Sequence, residues 1–397
     1  MTRNGYFGRF IRFAAGGLEQ NPDKPGGWGP KNVWKSENYG YICLIMKRKL
    51  LPLLITMAVS ACTPGQQMLV GTYTENTSAE GVYLYRFGPK GAVLKSCAPA
   101  GNPSFVIANG NRAYSVNEFN DGRQGLSAYA IDGDRISLID SELMPDYLVD
   151  GRDPCNILLT GGRLITSNYT GGSASAYSVA EDGSIGDPLQ FISGGEGSHI
   201  HCAVLSPDGK YLFLTDLGRD CVYRFHLGPG GQPFGESVIA WQNVDSFPFG
   251  PRHMVFSADG RFAYLLCELG DMLVVFSYVD GVLTPLQSLK AYDGDGHGSA
   301  DIHLSPDGKF LYTSHRLKDD GISIYKVENG LVERVGFCPT GRHPRNFAIS
   351  PDGMYLLCAC RDDNRIEVYR RDALTGQLQA TEQDIPVGAP VCVQFIP

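Results

Sequence analysis

One eight-residue pattern constrains this chain more than any other. Ser206-Pro-Asp-Gly-Lys-Tyr-Leu-Phe213 recurs as Ser257-Ala-Asp-Gly-Arg-Phe-Ala-Tyr264, Ser305-Pro-Asp-Gly-Lys-Phe-Leu-Tyr312 and Ser350-Pro-Asp-Gly-Met-Tyr-Leu-Leu357. Each copy is a polar Asp-Gly turn with an aromatic and apolar run behind it, the strongest short-range hairpin signal. Weaker copies lie at Asn109-Gly-Asn-Arg-Ala-Tyr114 and Thr160-Gly-Gly-Arg-Leu-Ile165. With Gly110, Gly161, Gly209, Gly260, Gly308 and Gly353 as markers, the steps are 51, 48, 51, 48 and 45 residues. A near-constant period of that size denotes a repeat architecture, here a β-propeller.

Each repeat divides into four strand-like runs, A to D. In the clearest one, A is His201–Ser206, B is Tyr211–Thr215, C is Asp220–His226 and D is Glu236–Trp241. Strand C keeps one form throughout, as in Gly81-Val-Tyr-Leu-Tyr85, Leu273-Val-Val-Phe276 and Ile366-Glu-Val-Tyr369. Its alternation fits the period-2 packing of strands. Six repeats are complete. The start of the repeat region supplies only B, C and D, and the chain end supplies one lone strand, Val391-Cys-Val-Gln-Phe395. Together they make a seventh blade that closes the ring from both ends and removes its exposed edges. The expected fold is therefore all-β: a seven-bladed propeller over residues 67–397.

Strand A is expected to line the central channel. The turn reverses the chain, so the start of A and the end of B share the face opposite the turn. The A starts carry Asn156, His201, Arg252, His253, His303, Arg345 and Asn346. The B ends carry Glu118, Asn168, Tyr169, Asp216, Glu268, His315, Arg316 and Arg361. Five of the eight histidines (His199, His201, His253, His303, His315) fall at these positions, and His343 is a sixth. The turn face has none, so one mouth of the channel is the expected site. Arg252, Arg316, Arg345 and Arg361 come from four blades, and a guanidinium fork suits a small anion. Glu268 and the histidines supply candidate acids and bases. No G-x-S-x-G elbow or phosphate-binding glycine loop is present. A metal site from His201, His303 and Glu268 lacks any supporting ligand spacing, and Asp293-Gly-Asp295-Gly reads as a turn rather than a calcium loop, so neither metal nor cofactor is expected.

Residues 1–45 do not share the repeat and are read as an upstream extension. Met46-Lys-Arg-Lys49, the ten-residue apolar run Leu50–Val59 and Ser60-Ala61-Cys62 follow. That order is the layout of a secretory signal. It resembles a bacterial lipoprotein signal over residues 46–62, with Cys62 the lipidated residue. The expected location is the cell envelope, with a membrane partner only through that lipid; the alternative is cytoplasmic. Nine cysteines follow Cys62, an odd number, as in a reduced protein. We read Cys358 and Cys360 as pointing to opposite faces of one strand. A net charge of −8 argues against a nucleic-acid partner.

The mouth residues resemble the lactonase family of seven-bladed propellers, which includes bacterial 6-phosphogluconolactonases and the fungal carboxy-muconate lactonizing enzyme. The resemblance is carried by Gly71-Thr-Tyr-Thr74, Asn102-Pro-Ser104, Asp153-Pro-Cys155, Ser198-His-Ile-His201, Gly250-Pro-Arg-His253, Cys267-Glu-Leu269, Asp301-Ile-His303, Ser314-His-Arg316 and His343-Pro-Arg345. It implies metal-free hydrolysis of a sugar lactone, with His201, Arg252 and Glu268 catalytic and Arg316 an anion clamp. His253, His303, Arg345, Asn156 and Asn168 join Arg316 as expected substrate contacts. The family commonly has His where this chain has Asn156. Two other readings stand beside it: a muconate-type lactonizing enzyme, and a non-catalytic propeller that binds a glycan or protein on an aromatic platform of Tyr73 and Tyr169.

Overall fold

The computed structural model describes residues 65–144, 150–228, 232–294 and 296–397. The segments 1–45 and 46–62, the lipidation site Cys62 and part of the Asp293–Asp295 turn lie outside these residues. Seven antiparallel sheets form seven blades, as expected. Blade 1 joins Pro390–Phe395 to Gln66–Thr72, Gly81–Gly88 and Gly91–Pro99, so the last strand of the chain is the innermost strand of the first blade. The inner strands of blades 2 to 7 are Val106–Asn109, Pro154–Thr160, Ile200–Leu205, Pro251–Phe256, Ser299–Leu304 and Pro344–Ile349. In blade 7 the outer strand is split: Leu378–Ala380 and Ile385–Pro386 both pair with Arg365–Arg371. The only helical turn among the described residues is the 3₁₀ turn Arg361–Asp363.

The turn that sets the period works through its serine and glycine. Ser206 Oγ donates to Asp208 Oδ1 (2.6 Å) and accepts from Tyr211 N (2.9 Å). Ser257, Ser305 and Ser350 repeat this pair of bonds. Gly209, Gly260, Gly308 and Gly353 all sit at φ between 67° and 71°, a region open to glycine at no steric cost.

Burial holds the blades together at their seams. Seven apolar clusters lie among the described residues, one between each pair of neighbouring blades. Met68, Val70 and Val393 of blade 1 pack on Leu357 and Val368 of blade 7, which closes the ring. Tyr114 and Val116 of blade 2 meet Ile157 and Tyr177 of blade 3 in the same way. Each fully buried side chain of this kind contributes about 1.5–3 kcal/mol.

Cys358 and Cys360 correct our reading of that strand. Both are fully buried in the seam between blades 6 and 7, with their Sγ atoms 4.0 Å apart. Side chains alternate with period 2, so residues two apart share a face. All nine cysteines of the described residues are free.

Candidate active site

The pairing of inner strand and second strand slips at the mouth end. Partners run Ile200 to Asp216 and then Cys202 to Thr215, leaving His201 without an opposite number. Arg252, Arg345 and Cys155 are bulged in the same way, and the slip in blade 6 spans Ala300 and Asp301. A bulge adds one residue to one strand and re-aims its side chain. Here that residue opens onto the mouth. The second source is the residue just past the end of strand B: Tyr73, Glu118, Tyr169, Glu268 and Arg316 in blades 1, 2, 3, 5 and 6. Prolines mark the bulges in sequence, because Pro154, Pro251 and Pro344 stand directly before the bulged residue. Proline cannot donate to the ladder and is at home at the first position of a strand.

These positions bring together groups from all seven blades. Glu268 is the hub. Its Oε2 accepts from Arg252 Nε (2.8 Å) and its Oε1 from Arg316 Nη2 (2.7 Å). Arg345 Nη2 lies 3.7 Å from Glu118 Oε2, and its guanidinium sits over the Tyr73 ring at 5.5 Å. Tyr73 Oη donates to Glu118 Oε1 (2.9 Å). His201 lies against Tyr169 and His253, with ring centroids 5.7 and 5.2 Å apart. Phe105 of blade 2 reaches His253 of blade 5 at 6.1 Å. Those blades face each other across the ring, so this contact floors the cup.

Its electrostatics narrow the possible roles. Burial pushes the Glu268 carboxyl up, but Arg316, Arg252 and Arg345 outweigh it and hold the group below the ordinary glutamate value. Burial and the neighbouring guanidinium groups push His201 well below 6.5, so it is a neutral imidazole. Arg316 is pulled down by burial to about 9 and stays charged at neutral pH. Two buried polar atoms in this cup have no hydrogen-bond partner, His201 Nδ1 and Glu118 Oε2. Arg252 commits Nε to Glu268 and Nη1 to His253 and the Ala300 carbonyl, which leaves Nη2 with no acceptor among the described residues. Buried polar groups are nearly always paired, so a cup with spare donors and spare acceptors is shaped for a polar ligand.

Among the expected residues, His201, Arg252, Glu268, Arg316 and Arg345 converge, and His253 lies just beneath them. His303 is half-exposed to the channel and donates to Asp301 Oδ2 (2.9 Å). Asn156 and Asn168 are placed elsewhere. Asn156 Oδ1 accepts from Ala203 N (3.0 Å) and stitches blade 3 to blade 4. Asn168 is fully buried, and its amide donates to Ser173 (2.9 Å) and Ser175 (3.1 Å). Arg361 turns away to pair with Asp362 (2.6 Å). Neither tyrosine is an open platform: Tyr169 is stacked on His199 at 4.7 Å, and Tyr73 lies under Arg345. No cluster that could hold a metal occurs among the described residues. Two residues given no catalytic or contact role from the sequence matter. Glu118 balances Arg345, and Asp301 bonds His253, His303 and Asn346. The polar residue in Asp301-Ile-His303 was the available signal for the second.

The chain is 34% identical over 355 residues to the 6-phosphogluconolactonase of Formosa agariphila, across 83% of this chain and 99% of that protein. It is 31% identical to the 6-phosphogluconolactonase of Bacillus subtilis, across 82% and 97%. A periplasmic gluconolactonase of Pseudomonas aeruginosa superposes with a TM-score of 0.75 at 30% identity, covering 84% of this chain and 99% of that one. A structure from Bacteroides fragilis gives 0.79 at 38% identity, covering 85% and 99%. The model of the family described as lactonase, 7-bladed β-propeller, matches residues 67–395. With the fold and nearly the whole repeat region in agreement, this chain belongs to the lactonase family of seven-bladed β-propellers.

Proposed function

We propose that this protein hydrolyses an unphosphorylated aldonolactone at the mouth of the channel. One observation carries the reading: the cup offers an unused donor on Arg252 beside an unpaired ring nitrogen on His201, and Glu118 Oε2 meets Arg345 only as an ion pair at 3.7 Å, without a hydrogen bond. A polyhydroxylated lactone needs both kinds. The charge balance favours a neutral substrate. Three guanidinium groups (Arg252, Arg316, Arg345) face two carboxylates (Glu118, Glu268), which leaves about one positive charge. That matches the single oxyanion formed during ester hydrolysis better than a phosphate dianion.

In this reading His201, neutral at pH 7, takes a proton as water attacks the ring carbonyl carbon. Arg252 Nη2 faces the oxygen where negative charge develops, and a fixed donor in a partly dry site lowers that barrier. The carbonyl re-forms, the ring C–O bond breaks, and the departing alkoxide takes the proton back from His201. The product is the open hydroxy acid. Glu268 serves as the anchor that holds Arg252 and Arg316, because both of its oxygens are already committed to them while His201 Nδ1 is unpaired.

An envelope location would favour the same substrate: residues 46–62 resemble a lipoprotein signal, and one similar structure is a periplasmic gluconolactonase. The test is a panel of gluconolactone, its 6-phosphate and a muconolactone with the full chain and Arg252→Ala. We expect the neutral lactone to give the highest kcat/KM and the variant to lose about 10²–10³-fold in kcat. Preference for the phosphate, or an Arg252→Ala protein as active as wild type, would overturn the assignment.

A further inference from the structure

Behind the mouth runs a chain of three side chains, Arg252, His253 and Asp301, with a fixed direction of donation. Asp301 is buried on the inner strand of blade 6. Its Oδ1 receives His253 Nδ1–H (2.7 Å) and the backbone N–H of Ile302 (3.0 Å). Its Oδ2 receives His303 Nε2–H (2.9 Å), Asn346 Nδ2–H (2.6 Å) and the backbone N–H of Phe347 (3.3 Å). Burial pushes the carboxyl up, yet His303 and His253 bring it well below the usual carboxylate range, so it only accepts. His253 is pushed down by burial and Arg252 to about 4 and is neutral. A neutral imidazole carries one ring proton. With that proton on Nδ1, Nε2 has a lone pair, and Arg252 Nη1 stands 3.2 Å from it.

We propose that Asp301 is a positioning residue for the reaction: through the tautomer of His253 it fixes the direction in which Arg252 presents Nη2 to the mouth. The proposal rests on the lactonase reading for its kinetic consequence only. Arg252 is otherwise held by Glu268 at Nε and by the Ala300 carbonyl at Nη1. The His253 lone pair is the third acceptor on this guanidinium and takes the Nη1–H that the Ala300 carbonyl leaves over. Asp301 touches no atom of the cup directly and acts through the imidazole.

Asp301→Asn tests this with no change of shape. His303, Asn346 and the Phe347 amide donate to the Oδ2 position against the Ile302 amide at Oδ1, so the asparagine oxygen is favoured at Oδ2. Its NH₂ then takes the Oδ1 position and points an N–H at His253 Nδ1. That reverses the imidazole: the ring proton moves to Nε2 and meets the Arg252 Nη1–H head on. A carboxylate-to-amide change behind a histidine is known to cost catalysis through the wrong tautomer.

The tautomer is read by ¹⁵N NMR of the imidazoles in the full chain, with the His253 signal identified by its loss in His253→Gln. We expect the proton on Nδ1 in wild type and on Nε2 in Asp301→Asn. A wild-type proton on Nε2 overturns the proposal, even where the variant does not fold. In kinetics we expect Asp301→Asn to lower kcat about 10²-fold with KM within about threefold of wild type. In an Arg252→Ala background the same change should cost less than about threefold, because its target is gone. A loss that multiplies in that background assigns Asp301 a merely structural role and overturns the proposal. A wild-type protein inert on every lactone removes the reading of function, while the NMR result still decides the tautomer.

Discussion

Glu268 accepts from two guanidinium groups at once, and this decides its chemistry more than its place at the mouth does. A carboxylate in that position gains from both charges and cannot also be a ready proton acceptor. Its neighbour His201 stands among the same guanidinium groups, which with burial keep it neutral, but its Nδ1 is committed to no partner. The two residues therefore part into anchor and base. Glu268→Gln separates these roles. The amide keeps one acceptor and turns an N–H toward one of the two arginines, so two buried positive charges lose their counter-charge. Removing one partner of a buried pair costs about 3–5 kcal/mol, and we expect the lower end because the Glu268 side chain is 17% exposed. Urea unfolding should show that loss together with a fall of about 10²-fold in kcat/KM. A variant of wild-type stability would mean that the two arginines do not depend on Glu268.

At the scale of the element, the turns were legible because their chemistry is local. Ser, Asp and Gly at fixed offsets satisfy one another within five residues, whatever the rest of the chain does. They give the period, the strand directions and the face that carries no chemistry. The bulges were not legible in the same way, since an extra residue in one strand is defined only against its partner. That is why Asn156 and Asn168 were assigned to the mouth. Asn156 follows the bulged Cys155 and points sideways to Ala203, while Asn168 precedes the mouth position, Tyr169, and points into its own blade. Arg361 missed the cup because the 3₁₀ turn Arg361–Asp363 carries it outward. The separation of turn face from site face makes a prediction. Gly308 sits at φ 67° with nothing within 4 Å of the place a Cβ would occupy. Gly308→Ala therefore meets backbone strain alone, about 1–2 kcal/mol. Thermal unfolding should register it, and kcat/KM should stay at the wild-type value. A kinetic defect would show that the two faces are coupled.

The whole ring concentrates neutral histidines at and just behind one mouth, and this links its stability to acid. Burial pushes down His201 (well below its usual value), His253 (to about 4), His315 (to about 3) and His343 (to about 3). An unfolded chain protonates all four near pH 6.5. Between that pH and their folded values, the unfolded state binds more protons than the folded one. Stability from these groups is thus fully present above about pH 6.5 and falls as the pH falls, by at most about 1.4 kcal/mol per pH unit for each histidine. His303 works in the other direction: burial lowers it, but Asp301 outweighs burial and raises it, so its contribution is present in acid and lost at higher pH. Its change falls above pH 6.5, where it works against the other four, and below that pH it is constant and leaves the fall unchanged. Urea unfolding of the full chain at pH 7.5, 6.5, 5.5 and 5.0 should therefore give a free energy that is nearly flat over the first step and falls over the next two. Lowered carboxylates such as Asp301 and Glu268 contribute little there, since an unfolded carboxylate titrates near about 3.9–4.3 and their stability is lost mainly below that. His343→Gln, a change outside the anchor and base, should flatten the fall by one histidine's share. An unfolding free energy constant from pH 7.5 to 5.0 would mean that these imidazoles are charged in the folded ring, and His201 would then have no lone pair to offer a water molecule at neutral pH.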